Sequence, residues 1–269
     1  MSETRTDRVI IMQVPFDTLT RQQFVEKIFT YFEFDSQHHL ATPNPEMLLT
    51  AQEDEEFLTL LNLTDLNTPD GIGIIWAGNT LTDPLWKSLL KLIVLPFKKP
   101  TSPIPERVTG VDLFLDICEK STLTNKKIFL LGAADGVAEK TKQVLVEKYP
   151  NIQIVGTYSG SPSPYEEEKI KDVINDTNPD ILFVAYGAPA QEKWIARNLR
   201  KMPTVKVAIG VGGTFDFISG LVPRAPALLQ KLSLEWLYRL VKEPRRWRRI
   251  YNATIIFPWK FLKTKAKRS

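Results

Sequence analysis

The sequence predicts an α/β fold: a Rossmann-like parallel sheet flanked by helices, with a mixed N-terminal lobe and a helical, basic C-terminal appendage. Three observations carry this prediction. From residue 125 on, short continuous apolar runs alternate with helical patterns of about 10–15 residues, as in parallel sheets buried on both faces. Three of the runs end in glycine, at Gly132, Gly187 and Gly212-Gly213, and ligands of such sheets bind beyond the carboxyl ends of the strands. The last stretch, 224–269, sets Trp and Leu at helical spacing among Arg and Lys.

In chain order, residues 9–14 (V-I-I-M-Q-V) read as a first strand and 20–31 as a helix. Residues 40–42 end a strand. A helix over 45–61 follows, capped by Asn44, since Pro in the first helical position behind Asn is a start signal. Residues 72–77 open another helix behind the turn T-P-D-G-I-G (68–73). These elements make up the mixed lobe, to about 124. The Rossmann-like lobe, 125–223, alternates strand 127–132, helix 136–149, strand 152–156, helix 165–175, strand 180–187, helix 189–199 and strand 205–213. Residues 1–223 are thus expected to form the core. In the appendage, 224–269, Leu229, Leu232, Trp236 and Leu240 recur at helical spacing, as do Trp247, Tyr251 and Ile255. This predicts two amphipathic helices split near Pro244.

At 269 residues, 43% hydrophobic and 25% charged, the chain has a globular make-up and enough length to bury a sizeable core. The lone Cys118 rules out a disulfide within the chain and fits a reducing cytosol. The N-terminus has no apolar secretory region, and no run approaches the roughly 18 apolar residues of a membrane span. A cytoplasmic location is expected, peripheral to the inner face of the cell membrane. The net charge of +4 conceals a division: residues 224–269 carry 13 Lys/Arg and 2 Asp/Glu, and residues 1–223 carry 22 and 29. An acidic body with a basic tail predicts that the tail meets a polyanion, either a membrane surface or nucleic acid.

The candidate chemistry starts at Asp70, held on a tight turn between Pro69 and Gly71. The turn A-T-P-N-P-E (41–46) is a second polar, proline-stiffened entry into a helix, and the two look like the lips of one site. G-A-A-D-G (132–136) joins a strand to a helix without the G-x-G-x-x-G spacing, so a dinucleotide fingerprint fails; a diphosphate cradle and a plain βα turn both remain open. No metal-ligand cluster is visible: His38 and His39 have no third His or Cys pair nearby, and Glu53-Asp54-Glu55-Glu56 reads as a solvated mid-helix face. Charge on a leaving diphosphate would then fall to Arg side chains and backbone amides. Three polar motifs remain: E-R-V-T-G (106–110), G-A-P-A-Q-E (187–192) and G-T-F-D-F (213–217).

Taken together, T-P-N-P-E (42–46), P-D-G-I-G (69–73), R-V-T-G-x-D-L (107–113), F-L-L-G-A (129–133), G-x-P-x-Q-E (187–192), G-V-G-G-T-F-D-F-I-S-G (210–220), R-A-P (224–226) and E-W-L-Y-R-L-x-x-E-P-R-R (235–246) resemble the WecG/TagA/CpsF glycosyltransferases, family 26 of that class. The resemblance spans roughly residues 9–250, in family order. It implies inverting, metal-independent transfer from a UDP-sugar, often UDP-N-acetylmannosamine or its uronic acid, to undecaprenyl-diphosphate-linked N-acetylglucosamine. No cofactor is expected beyond the donor. Asp70 matches the family's proposed base. Thr42 and Asn44 would hydrogen-bond the sugar; Gln191, Asp216 and the strand ends at Gly132, Gly187, Gly212 and Gly213 would hold the nucleotide. Arg107 and an Arg of the tail (Arg224, Arg239 or Arg246) would meet the diphosphate, while Arg245, Arg248 and Arg249 add to the basic face turned to an anionic membrane.

The departure from the family pattern lies between Asn79 and Arg107, where the apolar, basic and Pro-rich segment 80–104 replaces a shorter link. An interfacial helix and a packing or protomer-contact hairpin are both open there, and so is a homo-oligomer. Transfer of another hexose such as glucose is an alternative within the family. A nucleic-acid-binding protein stacking bases on Trp247 between arginines would explain the tail, but would leave the acidic body and the motifs of 42–73 idle.

Overall fold

The structure, a computed structural model, describes residues 7–94, 103–226, 229 and 235–266; Leu232 lies outside them, as do the side chains at 92–94, Arg239 and Arg246. Residues 9–14, expected as one strand, turn back on themselves. Strand β1 (Arg8–Ile11) pairs antiparallel with β2 (Val14–Asp17). Met12 and Gln13 between them take φ of 46° and 68°, as the tightest hairpin turns require. Neither is Gly, Asn or Asp, so the turn carries no sequence signal. Arg8 and Asp17 close the hairpin with a 2.9 Å ion pair, and the buried Asp17 carboxylate also accepts from the Asn67 N–H at 2.8 Å.

Helix α1 (Arg21–Thr30) is started by Thr20 and Gln23, each side chain accepting from the other's backbone N–H. After strand β3 (His38–Ala41), the helix expected over 45–61 is two: α2 (Pro45–Ala51), capped by Asn44, and α3 (Glu55–Leu63), capped by Asp54. Asp54 accounts for the break. Its carboxylate accepts from the Phe57 N–H at 3.0 Å and pairs with Lys193 at 2.8 Å, so residues 53–56 start a helix instead of lining the middle of one. Strand β4 (Leu66–Asn67), α4 (Ile72–Asn79) and α5 (Leu85–Val94) follow. Thr109 then caps α6 (Gly110–Thr124), accepting from the Asp112 N–H at 3.1 Å.

Strand β5 (Lys127–Gly132), α7 (Val137–Lys148), β6 (Gln153–Tyr158), α8 (Glu167–Thr177), β7 (Ile181–Ala185), α9 (Ala190–Asn198) and β8 (Val207–Gly210) follow the predicted alternation within a few residues. Strands β3 to β8 form one parallel sheet, ordered β4-β3-β8-β7-β5-β6. The sheet therefore crosses the lobe border expected near 125, with Leu40 of β3 opposite Ile209 of β8. Two switch points arise. From β5 the chain moves outward to β6 while β7 lies on its other side; from β3 it moves outward to β4 while β8 lies on its other side. At such points a crevice opens beyond the carboxyl ends of the strands.

One cluster of buried side chains includes Phe24, Phe114, Ile117 and Leu145 of α1, α6 and α7; another includes Ile170, Ile174, Trp194 and Ile195 of α8 and α9. A third joins the hairpin to α2, α3 and α4 through Phe16, Leu48, Phe57 and Trp76. The short α10 (Thr214–Ile218) leads toward the tail. There α11 (Glu235–Lys242) and α12 (Trp247–Tyr251) are split near Pro244, as the sequence predicts, and a π-helical turn, Asn252–Ile256, continues into α13 (Phe257–Ala266). The wider turn shifts the faces of the helix. Trp247, Tyr251 and Ile255 stay exposed, whereas Phe257 and Phe261 are buried in the third cluster, with Phe261 edge-on to Trp76 at 5.2 Å. No described helix is long and apolar enough to cross a membrane.

Candidate active site

Three turns at the carboxyl end of the sheet are stitched together by their backbones. The Thr68 N–H donates to the Ala41 carbonyl at 3.1 Å, Asp70 to Pro43 at 3.2 Å, and Val108 to Pro69 at 3.1 Å. The lip carrying Asn44 and the lip carrying Asp70 are thus one hydrogen-bonded unit, with Arg107 beside them. Glycine makes the contact possible. Gly71 takes φ +97°, and a Cβ on Gly73 would stand 2.8 Å from Cγ of Pro45, so the proline ring lies directly on the first turn of α4.

These turns border a cleft of about 770 Å³ over the ends of β3, β8, β7 and β5, a size suited to a small-molecule substrate. Thr42, Asn44, Asp70, Arg107, Gly187, Gln191, Gly212, Gly213, Asp216, Arg224 and Arg249 all line it. The first turns of α4 and α6 face the same space through Gly71–Gly73 and Thr109–Val111, which favours an anionic ligand.

Three of the expected site residues are not on the wall. Gly132 lies beneath it: with φ +102° it packs against β7, where a Cβ would fall 2.9 Å from the Ala185 carbonyl carbon, and Ala133 and Ala134 form the surface in its place. Arg245 and Arg248 are exposed away from the cleft, Arg248 lying over the Trp247 ring at 5.5 Å. The side chains of Arg239 and Arg246 lie outside the described residues.

Several wall residues are already committed. The Thr42 hydroxyl donates to the Gly210 carbonyl at 3.2 Å, and Asn44 Oδ1 accepts the N–H groups of Glu46 and Met47, each at 3.0 Å, leaving its amino end for a ligand. Gln191 is buried: its Oε1 accepts from Gly187 at 3.1 Å and Gly212 at 3.0 Å, and its Nε2 donates to Glu192 at 2.8 Å. It braces the loops that end β7 and β8 against each other. Arg224 donates to Asp112 at 2.6 Å, and Arg249 grips Glu46 with Nε and a terminal nitrogen, both at 2.7 Å to Oε2. Burial opposes ionisation of Asp112, but the Thr109 hydroxyl, the Arg224 guanidinium and the charge of Arg21 hold its carboxyl below the ordinary range.

Sequence reasoning missed the partners that aim these groups. Asp112 carried a signal, as the third residue after the capping Thr109. Glu192 and Trp236 stood out only as members of the motifs at 187–192 and 235–246, and Tyr186 and Thr254 carried no signal; Trp236 and Thr254 bring tail helices to the cleft wall. His38 and His39 lie at the opposite end of β3, where His38 stacks on Tyr31 at 3.7 Å. Among the described residues no three His, Cys, Asp or Glu side chains converge as metal ligands.

A carboxylate on a stiff turn, arginines on two sides and glycine-edged strand ends in one cleft suit transfer of a group away from a phosphate-bearing leaving group. The chain is also similar in sequence to known proteins. A model of the glycosyl transferase WecG/TagA/CpsF family matches residues 9–269. An N-acetylglucosaminyldiphosphoundecaprenol N-acetyl-beta-D-mannosaminyltransferase of Staphylococcus aureus is 31% identical over 268 residues, covering 98% of this chain and 96% of its own. A protein of the same name from Bacillus spizizenii is 32% identical over 223 residues, 83% of this chain and 78% of its own.

Proposed function

Because the chain belongs to the WecG/TagA/CpsF glycosyltransferase family, we propose that it transfers N-acetylmannosamine from UDP to undecaprenyl-diphosphate-linked N-acetylglucosamine during synthesis of a cell-surface polysaccharide or teichoic acid linkage. The observation that carries this reading is the hydrogen-bonded pair of lips that brings Asp70 over the strand ends and beside Arg107. The Asp70 carboxylate takes the proton of the acceptor hydroxyl as its oxygen attacks C1 of the donor sugar. The bond from C1 to the UDP oxygen breaks with inversion, and its electron pair leaves on the diphosphate. Arg107, Arg224 and Arg249 and the N–H groups of the first turns of α4 and α6 receive that charge, the part a divalent cation plays in other diphosphate sites. Asp216 and the Gly187 and Gly212-Gly213 loops hold the nucleotide; Thr42 and Asn44 shape the sugar end.

The lipid end of the acceptor is assigned to the exposed aromatic and basic surface of the tail. Trp247, Trp259 and Ile255 are exposed there, alongside Arg245 and Arg248. Helix α5 extends the surface with Leu85, Trp86, Leu89 and Leu90, and Lys265 of α13 donates to the buried Ser88 of α5 at 2.9 Å. Each basic residue near an anionic leaflet contributes about 1 kcal/mol, so roughly five hold the enzyme reversibly at its substrate. This is peripheral association.

The relatives' names lend no support to glucose transfer or to nucleic-acid binding. A panel of UDP-sugars assayed with a short-chain lipid-diphosphate-N-acetylglucosamine acceptor tests the proposal. UDP-N-acetylmannosamine should give the disaccharide lipid, and preferential turnover of UDP-glucose would replace this reading with the other.

A further inference from the structure

We infer that Glu192 is a positioning residue for the nucleotide: it sets which way the Gln191 amide faces and so locks together the loops that end β7 and β8. The inference rests on reading this cleft as a nucleotide-sugar site. Gln191 Oε1 accepts two backbone N–H groups at once, from Gly187 on one loop and Gly212 on the other. With its oxygen so committed, the amide's amino end needs an acceptor in a place closed to solvent, and Glu192 Oε1 supplies it at 2.8 Å. A reversed amide would set an NH2 group against two N–H donors and its oxygen against a carboxylate, losing three hydrogen bonds together. The third wall is Gly210 of β8, where a Cβ would lie 2.5 Å from Gln191 Nε2 and 2.7 Å from Glu192 Oε1. The interlock therefore needs Gly at 210, Gln at 191 and an acceptor at 192.

A fully buried carboxyl is costly, and burial pushes the pKa of Glu192 up to about 7. An apolar side chain there would avoid that cost and would orphan the Gln191 amino group. Both bridged loops line the cleft, Gly187 on one side and Gly212-Gly213 on the other. Their spacing sets where backbone donors meet the nucleotide, so Glu192 acts through Gln191 without touching the ligand.

The test pairs UDP titration calorimetry with amide hydrogen exchange of residues 186–191 and 210–214 in the full-length protein. Glu192→Leu should weaken UDP by roughly tenfold or more and speed exchange in both loops even without nucleotide. Glu192→Gln, whose carbonyl still accepts from Gln191, should stay within about threefold of wild type. Glu192→Leu added to Gln191→Leu should weaken binding no further, because one residue acts through the other. Wild-type affinity and exchange in Glu192→Leu, or additive losses in the double variant, would overturn the assignment. Should Glu192→Leu not melt cooperatively, Glu192→Asp, which withdraws the carboxylate by one methylene, is judged by the same two readouts. If the wild-type protein ignores UDP while exchange still rises in Glu192→Leu, the lock stands and the donor reading falls.

Discussion

The Asp70 N–H, donating to the Pro43 carbonyl at 3.2 Å, fixes the turn that carries the carboxylate. Replacing Asp70 by Asn keeps that backbone bond and removes the proposed base. Transfer should fall by at least about a hundredfold while UDP binding stays near wild type, and substantial turnover would remove Asp70 from its role. Glu192 offers a second test, in pH. Burial raises its pKa from 4.5 to about 7, so between those values the folded chain holds a proton that the unfolded chain has released. The associated stability is complete below about 4.5 and is lost as pH rises through about 7. Melting temperature should fall over this window less steeply in Glu192→Gln than in wild type; equal slopes would mean that Glu192 does not titrate there. Asp70, Arg107 and Arg224 were legible because each is polar, near Pro or Gly, and without a folding duty in its own segment, and Asn44 because a cap ahead of Pro45 marks a helix start. The role of Glu192 was not, because it depends on the close packing of Gly210, which only the sheet brings near.

Elements were legible where one period ran without interruption, as in 127–132 and 181–185, and obscure where a side chain acted as punctuation. Asp54 splits 45–61 because it caps from inside an acidic run, and Met12-Gln13 turns the chain without any residue that favours turning. Between α2 and α4 the contact of Pro45 with Gly73 holds the two lips in register. Gly73→Ala presses a methyl group into a ring that cannot yield, which should destabilise by about 1–3 kcal/mol and lower turnover more than it lowers UDP affinity. A variant with unchanged turnover would show that the lips tolerate separation. The tail helix is likewise part of the body. Phe261→Ala should cost about 3–5 kcal/mol by emptying a site against Trp76, read from chemical denaturation, and less than 1 kcal/mol would mean α13 is not docked. Cutting the chain near Arg224 would strip Phe257 and Phe261 along with the basic face, so point substitutions are the cleaner probe of the membrane reading.

Across the whole molecule, composition and alternation identified a parallel sheet but not its order, because strand neighbours are chosen by helix packing that no single segment records. The pairing of β3 with β8 carries the sheet past the change in texture near 125, and it puts Thr42 and Gly212 on one cleft. The exposed aromatics of α5, α12 and α13 belong to this scale too. Changing Trp86, Trp247 and Trp259 together to Ser should leave the melting temperature nearly unaltered and reduce flotation with anionic vesicles, and flotation equal to wild type would sink the lipid assignment. One further consequence belongs to protein synthesis. The cluster that holds the hairpin and α4 includes Phe257 and Phe261, which are translated long after both. While the ribosome still holds that stretch, the opening elements wait with an unfilled core and the cleft lacks the wall supplied by Trp236, Arg249 and Thr254. The wall of the cleft and the packing around the hairpin are therefore completed by the same late stretch of chain.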